Sequence, residues 1–124
     1  MKKILVVDDE KTARLLLADI LKADGYAVVE AADGREALDI IQSQPIDLVM
    51  TDRTMPGMDG LALLKALSER HNAIPVVVIS AYGEEKLWGE ALQLGAKDYL
   101  LKPFKAQDIL KVVKRYLAGG TSKK

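Results

Sequence analysis

Apolar and polar positions alternate in blocks along the whole chain. The run Ile4-Leu5-Val6-Val7 ends at Asp8-Asp9. A continuous, mostly branched run of this kind predicts a strand buried on both faces. Ala13, Leu16, Leu17, Ile20 and Leu21 then recur at helical spacing and predict an amphipathic helix stopped by Gly25. Tyr26–Ala31 predicts a second, weaker strand, and Asp33-Gly34 reads as a turn. Ala37, Leu38, Ile40 and Ile41 predict a short helix closing before Pro45. Ile46–Thr51 predicts a third strand running into Asp52, and Leu61, Leu64 and Leu67 predict a helix to about Arg70. Pro75 opens a fourth strand, Val76–Ile79, which stops at Ser80. Leu87, Ala91 and Leu94 predict a helix ended by Gly95, and Asp98–Leu101 a fifth strand stopped by Lys102-Pro103. Ile109, Val112, Val113, Tyr116 and Leu117 form the last amphipathic face.

Strand and helix thus alternate through the chain with short connections, which predicts an α/β fold with a parallel sheet, helices on both faces and right-handed crossovers. The strands are too few for an eight-stranded barrel, so a doubly wound, open five-stranded sheet remains. The 124 residues fill one domain. Residues 1–118 are assigned to it, and the polar, glycine-containing stretch 119–124 to a flexible tail.

Composition narrows the chemistry by exclusion. The chain has no Cys, which removes disulfides, thiolate metal sites and cysteine nucleophiles together. Its 18 basic and 18 acidic side chains balance, so the strongly basic footprint of a nucleic-acid binder is missing. No apolar run approaches the ~20 residues of a membrane span. Met1-Lys2-Lys3 mimics the start of a signal peptide, but the apolar stretch behind it ends at Asp8, short of the roughly 7–15 residues such a segment needs. The expectation is a soluble, cytoplasmic protein without membrane insertion or direct nucleic-acid contact. His71 has no second imidazole to form a metal site with and reads as a surface residue.

The candidate chemistry lies where the strands stop. Asp8-Asp9, Asp52, Ser80 and Lys102 follow or end the first, third, fourth and fifth strands. In open α/β sheets the carboxyl ends of the strands converge on one crevice, where ligands bind. Carboxylates brought together there repel one another and raise each other's pKa. A hard divalent cation such as Mg²⁺ relieves that repulsion. With a lysine and a hydroxyl beside it, the set suits a phosphoryl group. The chain has no Walker loop and no GxGxxG. Without a Ser-His-Asp set, a carboxylate is the best nucleophile available, and Asp52, central among the strand ends, is the candidate.

Four motifs in order, LVVDDE (Leu5–Glu10), DRTMPGMDG (Asp52–Gly60), ISA (Ile79–Ala81) and KDYLLKPF (Lys97–Phe104), resemble the receiver domain of two-component response regulators over residues 3–118. The resemblance implies a flavodoxin-like (βα)5 fold with strand order 2-1-3-4-5. It implies that Asp52 takes a phosphoryl group from a phosphohistidine on a histidine kinase or histidine phosphotransferase. Asp9, Asp52 and the backbone carbonyl of Thr54 would ligate Mg²⁺, or Mn²⁺ in its place, with Asp8 holding the ion through water. Lys102 would pair with the phosphoryl oxygens, Ser80 would shift to bond them, and Tyr99 would turn inward behind it. The Lys102–Pro103 peptide would be cis. Ser80 stands where Thr is commoner, keeping the hydroxyl and losing a methyl. Thr54 and Tyr82 border the acceptor and are expected to set the lifetime of the acyl phosphate. Trp88 reads as either a partner contact or a plug at the edge of the core.

By the same resemblance, the kinase would touch Ala13, Leu16 and Pro103-Phe104. Downstream proteins, an output domain outside this chain, or a second copy in a dimer would meet the fourth helix, fifth strand and fifth helix. Two rival readings are weighed, the second of them on the same topology. An Asp-nucleophile phosphatase wants a second acid two residues after the nucleophile, where this chain has Thr54. A flavodoxin-like cofactor binder would place a phosphate against the like charge of Asp8-Asp9.

Overall fold

The computed structural model describes residues 1–55, 57–70, 73–81 and 85–117. The strands are β1 (Lys3–Val7), β2 (Ala27–Ala31), β3 (Leu48–Asp52), β4 (Val76–Ser80) and β5 (Asp98–Leu101). They alternate with α1 (Lys11–Ala23), α2 (Gly34–Ser43), α3 (Gly60–Glu69), α4 (Glu85–Gln93) and α5 (Ala106–Leu117). All four pairings are parallel, and the strand order is β2-β1-β3-β4-β5, as expected.

The two-residue alternation of each strand divides the core. Ile4, Val6, Leu48, Met50, Val77 and Ile79 pack under α1 and α5. Leu5, Val7, Val49, Val76 and Val78 pack under α2, α3 and α4. This is why β1, β3 and β4 are unbroken apolar runs: both faces of the sheet are covered.

Two helix ends follow the left-handed glycine stop predicted for them. At α1, Gly25 has φ +94°, its N–H donates to the Lys22 carbonyl, and the Tyr26 N–H donates to that of Leu21. At α4, Gly95 has φ +106°, with matching bonds from Gly95 to Leu92 and from Ala96 to Ala91. Both are the paired C-terminal motif in which a residue without Cβ reverses the chain. Asp33, read as part of a turn, is the N-cap of α2. Its side chain accepts the Glu36 N–H, and Glu36 Oε1 accepts the Ala32 N–H at 2.6 Å. Asp59 is the N-cap of α3, its side chain accepting the Ala62 N–H at 2.9 Å.

The structure corrects three local expectations. Leu16, placed on the buried stripe of α1, is 55% exposed, while Ala18 is fully buried in its place. The third strand begins at Leu48 rather than Ile46, because Asp47 turns to accept the Lys3 N–H at 2.8 Å. Leu94 lies beyond the last helical residue of α4. The Lys102–Pro103 peptide is cis, as expected. His71, Tyr82 and the tail 119–124 lie outside the described residues.

Candidate phosphoryl and metal site

The carboxyl ends of β1, β3 and β4 and the loop after β5 meet at one edge of the sheet. Asp8 and Asp9 follow β1, Asp52 ends β3, Ser80 ends β4, and Lys102 follows β5. Carboxylate oxygens of Asp8, Asp9 and Asp52 all lie within 4.8 Å of one another. Lys102 Nζ reaches Asp8 Oδ2 at 3.2 Å and Asp52 Oδ2 at 3.4 Å. Residues 94 and 50 positions apart in the chain are thereby drawn together.

Asp8 is almost fully buried and is held on every side. Its N–H donates to the Ala31 carbonyl at 3.1 Å, and its Oδ1 accepts the Glu10 N–H at 2.9 Å. Asp9 is exposed. Asp52 is partly buried, and its Oδ1 accepts the Thr54 N–H at 3.4 Å. Ser80 is buried at the end of β4, and its carbonyl accepts the Lys102 N–H at 2.8 Å, so the hydroxyl-bearing strand and the lysine loop share a backbone bond.

The electrostatics follow from this crowding. Burial pushes the Asp52 carboxyl above its ordinary value; Lys102 opposes the shift and Asp8 adds to it. Burial works against the charge on Lys102, but Asp52 and Asp8 outweigh it and hold the ammonium above the usual lysine range. Three carboxylates against one ammonium leave a formal charge of −2 in the cluster. A divalent cation matches that deficit, and an all-oxygen donor set suits Mg²⁺ better than a soft metal. The residues present therefore fit the implied ion.

The loop after β3 is clamped from below. The Arg53 N–H donates to the Ile79 carbonyl at 2.8 Å, and the Arg53 carbonyl accepts the Gly60 N–H at 3.0 Å. A Cβ at Gly60 would run into the Asp52 carbonyl oxygen and lie 3.1 Å from Arg53 Cα. A glycine is thus required for α3 to start this close to Asp52. The Arg53 side chain leaves the site and meets Glu90 of α4 at 3.4 Å. Its buried Nε has no hydrogen-bond partner among the described residues.

Tyr99 is buried at 3% exposure. Its ring lies 5.7 Å from that of Trp88, tilted by 36°. Tyr99 thus lies inside the fold. Trp88 covers it as an edge plug while remaining 41% exposed, so the two readings of Trp88 are compatible. Thr54 is exposed beside Asp52.

Gly60, which the sequence offers as a backbone-geometry residue of the loop beside the site, has that role here. One neighbour of the site is not singled out by the sequence: Arg14 on α1, which donates to the Asp8 carbonyl at 2.8 Å and to Glu30 at 3.0 Å. A signal for Arg14 existed: a cation near a helix N-terminus opposes the helix dipole and needs a specific partner to be there.

The described residues contain no helix long and apolar enough to cross a membrane. Residues 4–114 match the family model of the response regulator receiver domain. The chain is 40% identical over 116 residues to sporulation initiation phosphotransferase F of Bacillus subtilis, covering 94% of each protein. It is 37% identical to the chemotaxis protein CheY of the same organism, covering 93% of this chain and 97% of that one. The crystallised chemotaxis protein CheY4 of Vibrio cholerae superposes with a TM-score of 0.90 at 34% identity, over 94% of this chain and 99% of that one.

Proposed function

Because this chain belongs to the response regulator receiver domain family, the phosphoacceptor modules of two-component signalling, we propose that Asp52 is its acceptor and that a phosphohistidine of a histidine kinase or histidine phosphotransferase is the donor. One observation carries the assignment. Asp52 is the member of the acidic cluster that ends the central strand β3, and it is touched by Lys102 while lying within 4.8 Å of Asp8 and Asp9.

The transfer follows from the site. A carboxylate oxygen of Asp52 attacks phosphorus and forms a P–O bond as the P–N bond to the donor imidazole breaks. The imidazole nitrogen takes a proton from solvent as it leaves. Lys102, now on Asp8 and Asp52, is placed to follow negative charge onto the phosphoryl oxygens. Bound Mg²⁺, or Mn²⁺ in its place, would supply charge neutralisation at those oxygens. Asp9, Asp52 and the Thr54 carbonyl would hold it directly and Asp8 through water. The product is an acyl phosphate, returned to Asp52 by water attacking phosphorus. Thr54 and Tyr82 would set how readily that water arrives. Hydrolysis releases inorganic phosphate; phosphomonoesters would not be turned over, since Thr54, two residues after the nucleophile, supplies no acid to protonate a departing alkoxide.

Phosphorylation adds about −1.5 to −2 charge. Ser80 and Lys102 would both bond the new anion, and the loops that carry them would close on it. Tyr99, packed between β5 and Trp88 on α4, would transmit the change to the surface. Trp88, Leu92 and Leu101 leave apolar surface on this side, where downstream partners, an output domain or a second copy would dock. Beside Lys102 a groove of about 480 Å³ is lined by Ala13, Leu16, Pro103 and Phe104, among others. The exposed Leu16 would contact the phosphohistidine-bearing partner there. We assign residues 1–118 to this module, with 119–124 as a tail, and place the protein in the cytoplasm with its donor.

The test is intact-mass measurement after incubation with phosphoramidate and Mg²⁺. The expected result is a single phosphoryl adduct, absent with EDTA and absent in Asp52→Asn. An adduct undiminished in Asp52→Asn overturns the assignment.

A further inference from the structure

Arg14 sits near the start of α1 with its side chain only 16% exposed. It makes two directed bonds. Nη1 donates to the backbone carbonyl of Asp8 at 2.8 Å, and Nε donates to Glu30 Oε1 on β2 at 3.0 Å. The Asp8 carbonyl belongs to the planar peptide that joins Asp8 to Asp9. Fixing that oxygen fixes the plane, and with it the direction in which Asp9 leaves the strand. β2 grips the same turn twice: the Ala31 carbonyl accepts the Asp8 N–H at 3.1 Å, and Glu30, the preceding residue, holds Arg14.

Asp9 needs such a device more than its neighbours do. Asp8 and Asp52 each accept a bond from Lys102 and one from a backbone N–H. Asp9 is exposed, and its carboxylate has no hydrogen-bond or ion-pair partner among the described residues. Its place within 4.8 Å of the other two carboxylates is therefore set through the backbone, and Arg14 holds that backbone from the side.

We propose that Arg14, braced by Glu30, is a positioning residue for the divalent cation, acting by fixing the Asp8–Asp9 peptide so that Asp9 faces Asp52. This rests on the reading of the acidic cluster as a metal site. The two bonds leave the guanidinium in different directions, and Lys has one nitrogen where Arg has three. Arg14→Lys therefore keeps the charge and loses the clamp.

Charge and geometry predict opposite effects of removing Arg14. If the guanidinium acts only as a nearby positive charge, its loss strengthens cation binding, because it repels the ion. If it acts by positioning Asp9, its loss weakens binding. The experiment is calorimetric titration of Mg²⁺ into the full chain with no phosphoryl donor. Thermal melts in EDTA run in parallel as a control for folding. Arg14→Ala is expected to raise the Mg²⁺ Kd by roughly 10-fold or more, the range seen when groups behind a metal ligand are removed. Arg14→Lys is expected to recover only part of that loss. Glu30→Gln, which keeps an oxygen acceptor for Nε, is expected to stay within about threefold of the parent chain.

Folded Arg14→Ala with unchanged or tighter Mg²⁺ binding overturns the proposal. Should Arg14→Ala fail to fold, Glu30→Ala leaves the Arg14 guanidinium in place and removes its brace. An unchanged Kd in that variant overturns the proposal equally. Failure of the parent chain to bind Mg²⁺ would instead bring down the metal reading of the cluster, and the positioning role with it.

Discussion

Replacing Gly60 by Ala separates helix propensity from the geometry of the site. Gly60 is the first residue of α3, and its backbone conformation is one any residue can adopt. Propensity alone would make Ala the better residue by ~1 kcal/mol. The structure predicts the reverse. An added methyl would overlap the carbonyl oxygen of Asp52 and sit 3.1 Å from Arg53 Cα and 3.2 Å from the Asp52 carbonyl carbon. Carbon atoms prefer about 3.5–4.0 Å, and none of these backbone atoms can rotate away.

Either α3 backs off, stretching the 3.0 Å bond from the Gly60 N–H to the Arg53 carbonyl, or Asp52 moves. Overpacking costs about 1–3 kcal/mol and a weakened hydrogen bond about 0.5–1.5 kcal/mol. Against the propensity gain, the net expectation is a loss of ~1–3 kcal/mol. That corresponds to a fall in Tm of roughly 4 °C or more for a domain of this size. If Asp52 shifts by even ~1 Å, phosphorylation slows by about 10²-fold. The control is Gly89→Ala inside α4, where a Cβ meets nothing within 4 Å. That change is expected to stabilise by about 0.5–1 kcal/mol. The assays are thermal melts and the rate of phosphorylation by phosphoramidate. A Gly60→Ala chain as stable and as fast as the parent would refute the close-approach argument.

Other expectations follow from the same geometry. Gly25→Ala forces a Cβ into φ +94° at the end of α1 and should cost ~1–2 kcal/mol, read as a lower Tm with phosphorylation unaffected. Lys102→Ala removes the cation that touches both Asp8 and Asp52 and should slow phosphorylation by about 10²–10³-fold; a rate within a factor of two would remove Lys102 from the reaction. The Asp52 pKa is raised on folding, so the folded chain holds that proton more tightly than the unfolded one. In EDTA, stability should therefore fall as pH rises from the ordinary carboxylate range through the raised value. Asp52→Asn should be the more stable chain above that window, with the gap closing below it; parallel pH profiles for the two would contradict the shift. Trp88 is the only tryptophan in the chain and packs on Tyr99, so its fluorescence should change on phosphorylation and stay constant in Asp52→Asn.

The architecture was legible because parallel strands covered on both faces leave unbroken apolar runs, and because the strands stop at residues that cannot be buried without partners. Asp8, Asp52 and Lys102 are examples, and the fold brings them within bonding distance. Periodicity failed at Leu16. Leu16 lines the groove with Pro103 and Phe104 rather than packing in the core. In sequence Asp33 reads as a turn because Asp-Gly serves turns and helix caps alike. Arg14 goes unseen for a different reason: it acts on a backbone atom of another segment, and side-chain spacing carries no record of that. The burial of Tyr99 depends on Trp88, a contact between two elements that sequence order does not fix.

The most direct test of Asp52 as the acceptor is chemical localisation. The chain is phosphorylated with phosphoramidate and Mg²⁺, reduced with borohydride, digested and read by tandem mass spectrometry. An acyl phosphate is reduced to the alcohol, so homoserine at position 52 and at no other aspartate is the predicted result. Homoserine at Asp8 or Asp9, or a phosphoryl group that survives reduction on a hydroxyl side chain, would contradict it.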